Sequence, residues 1–225
     1  MIISERTKSL EEQVYLQLEE EILCGIYKKG DTLTETSISK RIGVSRTPVR
    51  SALQRLGEEG LIELVPNKCA VVVGVTVDDL IDTYRIRMRL EGLATAMATS
   101  HLSEDDKERL KEAMELSEYY MKKQDTEQLK ELDTTFHSTI YQASGNRMLN
   151  KILSELHRNI RTYRKLSLTM PGRLEASIKE HREILEAMLA GDCDKADRLT
   201  SMQIERAMNN MVEAMKREEE VLALV

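Results

Sequence analysis

A chain of 225 residues can form one large domain or two modest ones, and 41% hydrophobic with 32% charged residues marks it as folded rather than disordered. The net charge of −6, averaged over the whole chain, speaks against a nucleic-acid binder. No apolar run approaches the ~18–20 residues that a membrane helix needs. The opening MIISERTKSLEEQ lacks the apolar segment of a signal peptide. Three widely spaced cysteines (Cys24, Cys69, Cys193) fit no metal or disulfide pattern, so a cytoplasmic protein with free thiols is expected.

Leu10, Val14, Leu18, Ile22 and Leu23 recur at helical spacing over residues 9–24, and Gly25 can end that helix. YKKGDTLT then reads as a polar connector. A short helix is predicted over 35–42 with Thr34 as its N-cap, broken by Gly43. A second follows over 46–59, with Ser45 as N-cap and Pro48 in the first turn, where a missing N–H costs nothing. LIELV (61–65) and CAVVVGV (69–75) read as two strands joined by a turn at Pro66-Asn67-Lys68, the one convincing piece of β-structure. Beyond Thr76 the texture changes. Helices are predicted at about 77–100, 103–122, 125–143, 146–168, 172–190 and 192–217, which implies an antiparallel all-α bundle. The fold is therefore mainly α: a winged helix-turn-helix over residues 1–75 and a helical domain over 76–225.

Helix, turn, helix and hairpin is the order of a winged helix-turn-helix. Local charge agrees where the total does not: residues 36–55 hold Lys40, Arg41, Arg46, Arg50 and Arg55 and no acid. The N-terminal residues of the second helix, Ser45, Arg46, Thr47 and Arg50, are those that would face base edges in a major groove. Lys68 at the hairpin tip can enter a groove or touch the backbone, and Thr34 and Thr36, at the start of the first short helix, are candidate phosphate contacts. In the helical domain, Asp133 and His137 lie four residues apart on one helix face. They could share a metal ion or form an ordinary surface or capping pair. Glu180-His181 sits among apolar neighbours, and Arg87 could pair with Glu91 at i+4. His101 and His157 have no sequence partner and read as structural or surface residues.

The stretch EEILCGIYKKGDTLTETSISKRIGVSRTPVRSALQRLGEEGLI with the wing VPNKCAVV resembles the DNA-binding domain of the GntR family of bacterial regulators. One departure is Cys69, where the family's wing usually has glycine. Residues 77–215 resemble the FCD domain of the family's FadR-type branch, through Arg87-Met-Arg-Leu-Glu, Asp133-Thr-Thr-Phe-His137, Ser144-Gly-Asn146 and Glu180-His181. That resemblance implies a homodimeric transcription factor on a pseudo-palindromic operator, responsive to a small carboxylate effector. It implies a divalent metal (Zn, Ni or Mn) on Asp133, His137, His181 and the residue at 203, which is Gln203 where the pattern has His. It further implies an effector contact at Arg87, with Arg161 and Arg164 as secondary positions. Asn146 is expected to cap a helix rather than to bind. A metal-sensing regulator and a helical metalloenzyme are the rival readings, and the chain is expected not to be an enzyme.

Overall fold

The computed structural model describes residues 9–23, 25–65, 69–74, 76–160 and 170–222. It divides into two compact units, Met1–Thr76 and Val77–Val225. The first holds α1 (Leu10–Leu23), β1 (Thr32–Leu33), α2 (Glu35–Ile42), α3 (Arg46–Glu58), β2 (Ile62–Val65) and β3 (Cys69–Val72). The second holds α4 (Val77–His101), α5 (Glu104–Lys123), α6 (Thr126–Ala143), α7 (Arg147–Asn159), α8 (Arg173–Leu189) and α9 (Cys193–Leu222). The predicted extension of α7 to residue 168, the Pro66-Asn67-Lys68 turn, Cys24, Arg161 and Arg164 lie outside the described residues.

The core of the first unit is mainly aliphatic, with Tyr15 buried among it. Val14, Leu18 and Ile22 of α1 meet Ile38 of α2, Val49, Leu53 and Leu56 of α3, and Ile62, Ala70 and Val72 of the sheet. Thr34 caps α2 as expected: its hydroxyl oxygen accepts from the Ser37 N–H at 3.1 Å. Gly43 ends the helix with φ +79°, a left-handed conformation that strains any residue with a Cβ. Thr34→Ala is expected to cost about 1 kcal/mol of stability, read from chemical denaturation. An unchanged midpoint would show that another group makes the cap. Ser45 occupies the N-cap position of α3, but its side chain makes no capping bond.

The sheet has three strands, where the sequence suggested a hairpin alone. β2 and β3 pair antiparallel from Ile62↔Val72 to Val65↔Cys69, and β1 adds to the other side of β3 through Thr32↔Val71 and Leu33↔Ala70. The polar connector is thus part strand. Gly30 turns the chain at φ +91°, its N–H donates to the Val72 carbonyl, and Leu33 is buried. One apolar residue in a two-residue strand leaves no alternation to detect.

In the second unit α4 packs along α9, α5 against α6 and α8, and α6 against α4 and α7. Ser103 and Asp106 form a reciprocal capping box at the start of α5, and Asn146 caps α7 by accepting from the Met148 and Leu149 N–H groups. Gly92 lets α4 and α9 approach closely, because a Cβ there would collide with the Asp197 carboxylate and the Ser201 hydroxyl. Ala94, Leu110, Phe136, Ile140, Leu153, Ile184 and Ala196 are among the residues of the central core.

Candidate functional site

In the first unit the polar residues at the start of α3 stand in solvent. Ser45, Arg46, Thr47 and Arg50 are exposed, as is Thr36 on α2. The absence of a side-chain cap at Ser45 leaves the α3 N-terminus with backbone donors, which favour an anion such as phosphate.

The run 36–55 is acid-free in sequence but not in space. Arg41 donates to both oxygens of Glu21 on α1, at 2.6 and 2.5 Å. Arg55 contacts Glu12 at 2.8 Å and Glu59 at 3.3 Å, and covers the Tyr15 ring at 3.6 Å. Arg50 donates to both oxygens of Glu35, at 2.7 and 2.9 Å. That hydrogen-bonded fork holds the Glu35 carboxyl below its ordinary range. Among the described residues, only Lys40 and Arg46 of these five cations have no carboxylate at ion-pair distance. Thr34 is already engaged as a cap. Lys68 lies outside the described residues.

In the second unit five helices bring polar groups into one buried cluster. Asp133 and His137 come from α6, His157 from α7, His181 from α8, Gln203 from α9, and Arg87 and Glu91 from α4. His137 Nε2 and His181 Nε2 are 3.2 Å apart, and Asp133 Oδ1 is 3.9 Å from the first and 3.8 Å from the second. The i,i+4 pair on α6 thus lies inside the protein, not on its surface. Gln203 reaches the same point, with its amide nitrogen 3.4 Å from His181 Nε2. Its Oε1 is buried without a hydrogen-bond partner, a deficit of about 1–3 kcal/mol that a cation or donor would relieve.

Glu91 lies behind His137, with Oε2 3.1 Å from Nδ1. A carboxylate there favours the Nδ1–H tautomer and leaves the Nε2 lone pair facing Asp133 and His181. Glu91 is in turn held by Arg87, whose Nε donates to Oε1 at 2.7 Å. Both side chains are buried, at 2% and 1% exposure, so neither charge is relieved by water. Burial opposes ionisation of Glu91. The Arg87 charge, with His137 close by, outweighs it and holds the carboxyl far below the usual carboxylate range. Burial likewise opposes the charge on Arg87, and Glu91 overcomes it. Arg87, which the sequence offered as an effector contact, is thus paired with a carboxylate of its own helix and shielded from solvent.

His157 belongs to the cluster although its sequence context gave it no partner. It is buried, its Nε2 is 3.8 Å from Asp133 Oδ2, and its ring centroid is 5.1 Å from that of His137. Its signal was periodicity. Leu149, Leu153, His157 and Ile160 form one buried stripe at spacings of four, four and three. Beside the cluster, Glu180 is clamped by Arg173 at 2.9 Å and Arg206 at 3.1 Å, so its ion pairs are separate from the histidine group.

Comparison with known proteins accounts for both units. Residues 10–72 match the family model of bacterial regulatory proteins of the gntR family, and residues 82–206 match that of the FCD domain. The chain is 32% identical to the uncharacterized HTH-type transcriptional regulator YdhC of Bacillus subtilis, over 77% of this chain and 78% of that one. It is 28% identical to the gluconate operon transcriptional repressor of the same organism, over 77% of this chain and 70% of the relative. Among solved structures, Escherichia coli McbR/YncC superposes with a TM-score of 0.73 at 26% identity, covering 94% of this chain and all of that one. Both matched domains are regulatory rather than enzymatic. No helix among the described residues is long and apolar enough to cross a membrane. The chain belongs to the GntR family, pairs its winged helix with an FCD domain, and is a DNA-binding transcriptional regulator.

Proposed function

We propose that this regulator responds to a small organic acid held together with a divalent cation in its helical unit. The observation that carries this reading is the convergence of His137 Nε2, His181 Nε2 and Asp133 Oδ1 beside the unpartnered, buried Oε1 of Gln203. Ligand atoms about 2.0–2.2 Å from a shared ion lie about 3–4 Å from one another, the spacing of this group. Two imidazoles and a carboxylate, joined by the Gln203 amide oxygen once that amide is flipped, suit Zn, Ni or Mn, and the ion would supply Lewis acidity toward a carboxylate in its remaining positions. Arg87, with Arg161 and Arg164 as secondary positions, is assigned to the acid, and the ion adds a positive charge beside the Arg87–Glu91 pair. The gluconate operon repressor supports the choice of class, because gluconate is a carboxylate.

On the DNA side, Ser45, Arg46, Thr47 and Arg50 are assigned to the major groove, and Thr34, Thr36 and Lys68 to the backbone. A homodimer acting in the cytoplasm would set two such helices on a pseudo-palindrome, with half-sites about one helical turn apart. The domains would run as residues 1–75 for DNA and 76–225 for effector and dimer contacts. The acid can shift operator affinity only if it binds the two arrangements of the dimer unequally.

The test uses an operator selected from random DNA and protein stripped of metal, then reloaded with Zn, Ni or Mn. Small acids, gluconate included, are titrated against operator affinity. The expected result is a shift of about 5- to 150-fold that requires both ion and acid. It should vanish in His181→Ala. An equal response to acid in stripped protein would overturn the role of the ion. An equal response to ion without acid would make the metal the signal and overturn the acid.

A further inference from the structure

Two side chains in the cluster stand behind proposed ion ligands rather than among them. Glu91, held by Arg87, stands behind His137. His157 stands on the far side of Asp133. The Asp133 carboxylate faces two ways: Oδ1 lies toward His137 and His181, and Oδ2 toward His157 Nε2 at 3.8 Å. Tyr141 on α6 meets the other nitrogen of the His157 ring, with its hydroxyl 3.3 Å from Nδ1. A tyrosine hydroxyl donating to Nδ1 selects the tautomer that carries its proton on Nε2, the nitrogen aimed at Asp133. His157 is buried, and its ring packs near both Tyr141 and His137.

We propose that His157 is a positioning residue for the Asp133 carboxylate: it donates Nε2–H to Oδ2 and so turns Oδ1 toward the ion. This rests on the metal reading above. It assigns His157 no place among the ion's ligands, because the atoms that converge within 4.8 Å are those of Asp133, His137 and His181 alone among the described residues. The gap of 3.8 Å is longer than a hydrogen bond, and the positioning role requires it to close when the ion is held. The arrangement answers a need of this chain. A carboxylate in line with two imidazoles and a weakly coordinating amide must present one oxygen in a fixed direction. Outer partners of this kind commonly change metal affinity by about 10–100-fold.

The discriminating measurement is Co(II) affinity and the Co(II) absorption spectrum of the full-length protein. His157→Leu should fill the buried site and bind Co(II) at least tenfold more weakly. His157→Gln keeps a donor near the position of Nε2. It should restore most of the affinity with the absorption maxima of wild type, since the donor atoms on the ion are unchanged. Tyr141→Phe should weaken binding less than His157→Leu does. Melting of each metal-free variant shows whether the fold is intact, and His157→Gln carries the decision if His157→Leu does not fold. Equal losses in His157→Gln and His157→Leu, or altered maxima in His157→Gln, would make His157 a ligand and overturn the positioning role. Wild-type affinity in His157→Leu would overturn it as well, while leaving the metal reading intact. A wild-type protein that takes up no ion would remove the metal reading, and this inference with it.

Discussion

Glu91→Ala is expected to lower the melting temperature of the helical unit by about 6–20 °C. Arg87 and Glu91 sit one helical turn apart on α4, at 2% and 1% side-chain exposure. Removing one member of a fully buried pair leaves the other charge with neither partner nor water, at a cost of about 3–5 kcal/mol. In a chain of this size each kcal/mol moves the midpoint by about 2–4 °C. The pair itself is not the source of that stability, since two charges were taken from water to form it. The double variant Arg87→Met, Glu91→Leu should therefore melt much closer to wild type than Glu91→Ala does. Calorimetry on the three proteins checks this, and a midpoint for Glu91→Ala within 2 °C of wild type would refute it. A second readout separates the ion pair from the site. Both Glu91 variants remove the carboxylate that faces His137 Nδ1, so both should bind Co(II) about 10–100-fold more weakly. Stability would recover in the double variant and metal affinity would not.

The buried pair also explains where sequence reasoning reached its limit. Glu91 is visible as the i+4 partner of Arg87, and the structure forms that pair. What one-dimensional spacing cannot supply is the third member, His137, which comes from α6, more than forty residues away. Patterns within one helix were legible: the Thr34 and Asn146 caps, the Gly43 break, and the shared face of Asp133 and His137. The family motifs added His181 and position 203, which lie on other helices. His157 has neither kind of signal except its place on a buried stripe, and a buried stripe ordinarily means packing. The strand β1 escaped for a related reason: its pairing with β3 is made by backbone groups, and only Leu33 marks it in the side chains. The basic run 36–55 shows the opposite failure. Its charges are plain in the sequence, but Glu12, Glu21, Glu35 and Glu59 approach from outside the run and neutralise three of the five.

That neutralisation sharpens the remaining prediction, which concerns Arg46. Arg41 and Arg55 hold α2 and α3 against α1, and Arg50 is forked onto Glu35. Arg46 is exposed at the first position of α3, beside Ser45 and Thr47. Among the described residues it is the α3 cation with no carboxylate at ion-pair distance. A bidentate contact from arginine to guanine is worth about 1–3 kcal/mol of discrimination. Arg46→Ala should therefore weaken binding to the selected operator by about 5- to 150-fold while melting as wild type does. Binding to unrelated DNA should fall much less, since it loses one charge contact among several. Arg41→Ala should behave in the reverse way. It leaves Glu21 without its guanidinium partner and loosens α2 from α1, so stability falls. Any loss of affinity should then follow the unfolded fraction rather than the base sequence. Electrophoretic shifts on operator and scrambled DNA, paired with melting curves, separate the two cases. If Arg46→Ala keeps both affinity and sequence preference, base reading by the start of α3 is wrong. The search would then move to Arg50, whose release from Glu35 would have to accompany binding.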